Sequence, residues 1–455
     1  MVFYLTIAVM LWVFALVTQW RPQTQWVLGL LALALFVAIG GLRYQTGFDW
    51  APYDRYMHAI SDASICFREA QREVGYWALN ALVYLAGGTL SAVFFVAALF
   101  NGIVYYEFCR RHRAPFTWAA AFYFCWIYLT LQMAVERQAI SVSFFLLALL
   151  ALDQRTYLRT AVLALVGITF QGFSLLYLPL LWRGLWERIW KHLGPILAGC
   201  ILFTLLMPSP SLTLITMLAN SHLPFFATKA ASYASPVVYR NHAPADMAYL
   251  AFNVLFLVGV RRFMRPSAEA RALLHPMVLM VMVEAVLHDF PMLWVRFQML
   301  AIPCQAVFIA QALRQAPWRR SLTAAVLLGC ALFSLAIFDY RLHRPFMEVY
   351  APYQDSVTPL IRGSMTEELG MAHTEQMYSQ VLAQIRTAEK AAASAPSAAA
   401  GKNAGPRLFG GLLTPLKEYY PLPAECVVVN PQAKWHQWRQ KLLGAPPAVP
   451  PTPAP

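Results

Sequence analysis

The chain has 455 residues and a formal net charge of +13, with 59% hydrophobic residues and only 13% charged ones. Soluble domains carry about 25% charged residues, so a water-facing surface of normal size could not be covered. The apolar residues also come in blocks of roughly 17 to 25, long enough to cross a hydrocarbon core of about 30 Å. Unpaired backbone groups are not tolerated in lipid, so such blocks must be helices. The expected fold class is all-α, a polytopic transmembrane helical bundle of about eleven or twelve helices.

In chain order, the expected spans are 1–20, 26–42, 88–108, 115–132, 137–152, 158–171, 172–183, 195–217, 246–260, 272–289, 292–313 and 321–338. The first block lacks a basic start and a small-residue cleavage site, and another span follows at once, so it reads as a retained helix rather than a signal peptide. Segment 75–87 reads as a short interfacial helix ending at Gly87-Gly88. The pair 158–171 and 172–183 is too short for two ordinary crossings. It reads as one bent helix or as a broken pair entering a cavity.

Alternate loops then sort by charge. One set holds Arg21, Arg110, Arg111, Arg113, Arg155, Arg159, Arg183, Arg188, Lys191, Arg261, Arg262, Arg265, Arg271, Arg314, Arg319 and Arg320, sixteen basic residues with few acids. The other set holds eight, Arg43, Arg55, Arg68, Arg72, Arg137, Lys229, Arg240 and Arg296, interleaved with acids. The positive-inside rule makes the first set cytoplasmic and the second outer. This topology accounts for the net charge without a nucleic-acid partner.

Three regions are expected: a transmembrane domain over 1–340 with an outer loop at 43–75, an outer segment with an amphipathic helix over 341–391, and a tail over 392–455. The amphipathic helix is expected at 366–391, a flexible Ala/Ser/Gly linker at 392–405, then a small semi-ordered piece, and a Pro/Ala end that cannot pack a core. Seven cysteines with no CxxC spacing give neither a metal site nor a disulfide framework. Cys66 and Cys426 both fall in outer segments, and a bridge between them is one alternative. No cofactor, metal or nucleotide signature occurs, and no GxSxG, HExxH or Walker loop is present.

The chemistry-bearing residues gather at the outer face. Arg43 stands where the second helix leaves the membrane, and Gly47, Asp49, Tyr53, Asp54 and Arg55 follow within a dozen residues. An Arg there is either an interfacial anchor among aromatic belt residues or a planar fork for phosphate or carboxylate. Glu136-Arg137-Gln138 heads a span, where the two charges either neutralise one another or Arg137 faces an outward cavity. Arg296 lies a few residues inside its span and could snorkel, yet it shares the level of Gln171, Gly172 and Ser174 at the break of the short pair. Arg341, Tyr350 and Tyr353 follow the last span, in a stretch whose APYQD echoes APYD at 51–54. Arg43, Arg137 and Arg296 together make a positive well, in which an anion gains charge-assisted hydrogen bonds of about 1.5–3 kcal/mol each. A membrane-anchored phosphate or pyrophosphate fits such a well.

The order of these elements resembles the EpsG-like family of exopolysaccharide polymerases, which are Wzy-type integral membrane proteins. The resemblance rests on Arg43, Gly47, Asp49, Tyr53 and Tyr56 after the second helix, and on Glu73, Gly75 and Tyr76 before the next. It continues through Arg137-Gln138, Arg296 and Pro352-Tyr353, over residues 1 to about 358. One position departs: relatives often carry a His in the break of the short pair, where this chain has Gln171, which cannot act as acid or base. The resemblance implies a glycosyltransferase-type enzyme of the bacterial inner membrane, polymerising undecaprenyl-pyrophosphate-linked repeat units at its periplasmic face. Under it, Arg137 and Arg296, with Arg43, hold the departing pyrophosphate. Asp49 is the first candidate for general base and Glu136 the second. Tyr53, Gln138, Gln171, Arg341 and Tyr353 complete the substrate-binding set. Expected partners are the lipid-linked glycan, the bilayer, and a chain-length regulator with export proteins. Three alternatives stay open: a ligase using the same carrier, a lipid-linked glycan transporter, and a structural scaffold.

Overall fold

The computed structural model describes residues 1–47, 49–61, 73–207, 244–264, 266–288, 291–344, 347, 350 and 353–357. The expected amphipathic helix at 366–391, the linker, the tail, Cys66 and Cys426 lie outside these residues. Among the described residues the chain is helical and holds no strand, as its apolar blocks require.

The helices are α1 (Val2–Trp20), α2 (Gln25–Gly41), α3 (Trp50–Ser61), α4 (Val74–Leu85) and α5 (Leu90–Arg111). Next come α6 (Phe116–Tyr123), which widens into π-turns over Phe124–Ala134, then α7 (Glu136–Asp153) and α8 (Tyr157–Phe170). A 3-10 helix (Gly172–Leu181) leads to α9 (Arg183–Lys191), α10 (Leu193–Leu206), α11 (Pro244–Gly259) and the short α12 (Ala268–Ala272). The bundle closes with α13 (His275–Val286), α14 (Pro291–Gln315) and α15 (Arg320–Leu342).

Among the described residues, six helices are long and apolar enough to cross a membrane, or up to eight if each bent pair is one span. That is fewer than the expected eleven or twelve, for identifiable reasons. The expected spans 115–132 and 137–152 form a pair that bends by 117° at Val135. The region of 195–217 is described only as far as Met207. The short pair is short indeed: α8 has 14 residues and the 3-10 helix ten, so each is only about 20 Å long. The break falls at Gln171, whose backbone is extended at φ −150° and ψ 108°.

The bundle interior is apolar, with α1, α6, α7, α13 and α14 supplying most of the enclosed side chains. A few polar residues are buried with partners. Asn101 donates to Gln132 at 2.9 Å and accepts from Ser143 at 2.7 Å, and Gln132 donates to Tyr123 at 2.6 Å. Side-chain hydroxyls also staple the broken pair to α7, where Ser141 lies 2.6 Å from Ser174 and donates to the Gly167 carbonyl at 2.7 Å.

Candidate active site

The loop between α2 and α3 is shaped by one glycine. Gly47 has φ +100°, and a Cβ there would lie 2.2 Å from the Met133 carbonyl oxygen, so no side chain fits. This close approach lays the loop on the end of the π-turns that precede Glu136. The loop is held on its other side by the segment after α15. Arg43 and Asp355 form an antiparallel bridge, Tyr44 N–H donates to the Gln354 carbonyl at 2.8 Å, and Ser356 N–H donates to the Leu42 carbonyl at 2.7 Å. Residues 353–356 thus reach the Arg43 loop itself, with Tyr353 donating to the Ile39 carbonyl at 3.2 Å.

Below the loop, Arg43 and Glu136 form an ion pair at 2.9 Å with side chains 0% and 1% exposed. The Arg43 guanidinium also lies 4.0 Å from the centroid of the Phe94 ring. Glu136 and Arg137 therefore do not neutralise one another. They are adjacent on a helix, so their side chains diverge by about 100°. Glu136 points inward to Arg43, while Arg137 points out to a different carboxylate, Glu73 at the start of α4.

Arg137 remains 35% exposed and Glu73 19%. Glu73 also reaches Gln171. With the Gln171 amide assigned by its hydrogen bonds, its nitrogen donates to Glu73 at 2.7 Å and its oxygen accepts from Arg296 Nη1 at 2.9 Å. The chain Arg137–Glu73–Gln171–Arg296 thus joins four segments distant in sequence: α7, the start of α4, the break after α8, and α14. Gly75 lets α4 come close enough for this, since a Cβ there would lie 2.4 Å from Thr169 Oγ1. The Arg296 guanidinium lies 5.5 Å from the Phe173 ring centroid. Its backbone carbonyl accepts from Gln138 at 3.0 Å and from Tyr177 at 2.7 Å.

Asp49 sits among these groups. Burial pushes its carboxyl above the ordinary aspartate range, while Arg137, Arg296, Arg43 and a hydrogen bond from Tyr53 pull the other way. One carboxyl is therefore within electrostatic reach of all three arginines. Tyr53 is 3% exposed, its ring centroid 5.5 Å from the Arg137 guanidinium. Arg341 stands apart from this group: it donates to the Trp126 carbonyl, while the buried Tyr350 lies within electrostatic reach of Arg341, Arg43 and Asp49.

Two buried polar residues carried little signal in the sequence, and only the first belongs to this cluster. Tyr177, inside an apolar run, is 1% exposed and links Gln138 to Arg296. Glu284 is an acid buried at 1% within α13, and a lone carboxylate in an apolar run was the signal that could have marked it.

The model of the EpsG family matches residues 26–354. The chain belongs to the EpsG family. No curated protein and no solved structure matches it. The EpsG match covers every arginine of the cluster and the Pro352-Tyr353 stretch, and ends at the segment that closes the Arg43 loop. Together with the apolar helices, EpsG membership makes this a multi-pass membrane protein of polysaccharide biosynthesis, and is consistent with a polymerase-type enzyme.

Proposed function

We propose that the protein polymerises lipid-linked oligosaccharide repeat units at the outer face of the bacterial inner membrane, using a diphosphate carrier of the undecaprenyl pyrophosphate type. The observation that carries this reading is the chain from Arg137 through Glu73 and Gln171 to Arg296, with Asp49 in the field of both arginines. Two guanidiniums bridged by a carboxylate and an amide are spaced for an anion with several oxygens.

In the reaction, a sugar hydroxyl of the acceptor attacks the anomeric carbon of the donor. Asp49 takes the hydroxyl proton as the new carbon–oxygen bond forms. The bond from the anomeric carbon to the pyrophosphate oxygen breaks, and its electron pair leaves with the pyrophosphate. Arg137 and Arg296 hold the charge that grows on that oxygen. No nucleotide is needed, because the leaving group is already activated. Tyr53 and Gln138 position Asp49 and Arg296 respectively. The bound diphosphate replaces Glu73 on Arg137, so Glu73 is a placeholder that returns when the carrier departs. Arg43, sealed with Glu136, contributes its field and supports the loop. Glu136, 1% exposed and paired, offers no face for a proton from substrate, which leaves Asp49 as the base.

The test is polymerisation of a purified lipid-linked repeat unit by the full chain in proteoliposomes. Arg137→Lys keeps the charge and loses the planar fork. A product ladder of undiminished rate and length from this variant would rule out the arginine clamp. Transfer of preformed chains without a ladder would instead assign the site to a ligase.

A further inference from the structure

At the face opposite the arginine cluster, the ends of α1, α6, α14 and α15 leave a hollow of about 280 Å³. Helix α2 runs from Gln25, on the wall of this hollow, to Gly41 beside Arg43. Its 17 residues span about 25 Å, so hollow and cluster are separated by close to one hydrocarbon thickness.

The wall carries Arg314, Arg320, Gln19, Gln25, Trp118 and Trp318, and no Asp or Glu is among the described residues that line it. Its polar floor is internally satisfied. Trp118 donates to Thr18 at 3.1 Å, and Gln19 donates to the Arg320 carbonyl at 3.1 Å. Arg314 donates to the Arg113 carbonyl at 3.2 Å. Neither Arg314 nor Arg320 has a carboxylate partner among the described residues, whereas other arginines of this face do: Arg110 and Arg111 share Glu107, Arg183 meets Asp153, and Arg271 meets Glu187. Two arginines without a carboxylate partner among the described residues thus line one concave site, on a face where pairing is otherwise common.

The surroundings give the depth. Trp20, Trp26 and Trp318 are 56%, 67% and 45% exposed, the arrangement of an aromatic belt at headgroup level. The volume is at the lower end of small-molecule sites, enough for a phosphate with its glycerol but not for acyl chains, which would lie outside along the exposed apolar faces of α1 and α15. Basic pockets between spans at the positive-inside face suit anionic lipid headgroups.

We infer that this hollow binds the phosphodiester headgroup of an anionic phospholipid. The site is independent of the polymerisation reading and lies across the membrane from it.

The experiment compares the full chain in nanodiscs of phosphatidylcholine with and without phosphatidylglycerol, counting retained lipids by native mass spectrometry. Wild type retains phosphatidylglycerol selectively. Arg314→Gln/Arg320→Gln loses that selectivity, about fivefold for each guanidinium removed, and melts in pure phosphatidylcholine at the wild-type temperature. If the double variant melts lower there, Arg314→Lys/Arg320→Lys replaces it, and selectivity kept in part supports the site. Arg155→Gln/Arg159→Gln, on exposed residues of the same face, keeps full selectivity; an equal loss here would mean a diffuse basic surface and overturn the pocket. Inorganic phosphate added to phosphatidylcholine nanodiscs leaves the wild-type melting temperature unchanged, and a rise dependent on Arg314 and Arg320 would overturn the lipid assignment in favour of a soluble anion.

Discussion

Arg43 and Glu136 are 93 residues apart in sequence yet form an enclosed ion pair at 2.9 Å, with neither side chain open to solvent. Removing one partner of such a pair strands a charge in an apolar interior. Arg43→Met or Glu136→Leu alone should therefore destabilise the protein by about 3–5 kcal/mol. The double variant should recover most of that, because two apolar side chains leave no orphan charge. Thermal unfolding of the three purified variants in detergent checks this. A double variant as unstable as the worse single one would mean the pair has further obligatory partners.

In the proposed reaction Arg137, 35% exposed, acts on substrate rather than on the fold. Its replacement by Ala should leave the melting temperature within a degree or two and cut polymerisation by roughly 10- to 100-fold, one to two charge-assisted hydrogen bonds. Steady-state rates at saturating donor, set beside the melting curve, separate this from misfolding.

Glu73 competes with substrate in the proposed reaction, so its neutralisation should help binding. The pair it makes with Arg137 is partly exposed, and such pairs contribute about 0.2–1 kcal/mol. Glu73→Gln should accordingly lower the donor KM by up to about fivefold. An unchanged or raised KM would show that Glu73 orients Arg137 and is not displaced.

In the proposed reaction Asp49 sets the pH dependence. Burial raises its carboxyl above the ordinary aspartate range despite three arginines. A group with a raised folded value contributes stability that is present below the unfolded value and lost as the pH rises through the folded one. Activity runs the opposite way, since a base must be ionised to accept a proton. The acid limb of the rate profile should lie above the ordinary aspartate range, and Asp49→Asn should abolish turnover at every pH while raising stability at neutral pH. A variant that keeps the wild-type acid limb assigns the base elsewhere.

Gly47→Ala should cost about 1–3 kcal/mol from backbone strain and more from the Met133 carbonyl it would meet. Loss of both folded protein and activity is expected, and a normal melting curve would show that the loop can move away.

How much of this was legible varies residue by residue. The break at Gln171 could be read because two apolar runs of sub-membrane length meet there. The convergence of Arg43, Arg137 and Arg296 followed from which ends of the spans they occupy. The partner assignments were not legible, although one clue was available: Glu136 and Arg137 are neighbours on a helix, and neighbours there do not face each other. Their true partners, Arg43 and Glu73, are fixed by how α2, α4 and α7 pack, which no local pattern encodes. Tyr177 was hidden for a simpler reason, since a Tyr in an apolar span looks the same whether it packs or donates.

The backbone bridge between Arg43 and Asp355 has a consequence for biogenesis. Tyr4 near the start of the first helix donates to the Tyr350 carbonyl at 2.7 Å, and Phe3 stacks on Tyr353. Helix α1 and the segment after α15 are thus joined to one another beside the Arg43 loop. A ribosome must release the stretch beyond the final span before the Arg43 loop has its edge. Chains truncated after α15 would keep every described helix yet leave the Arg43 loop without the backbone edge that holds it.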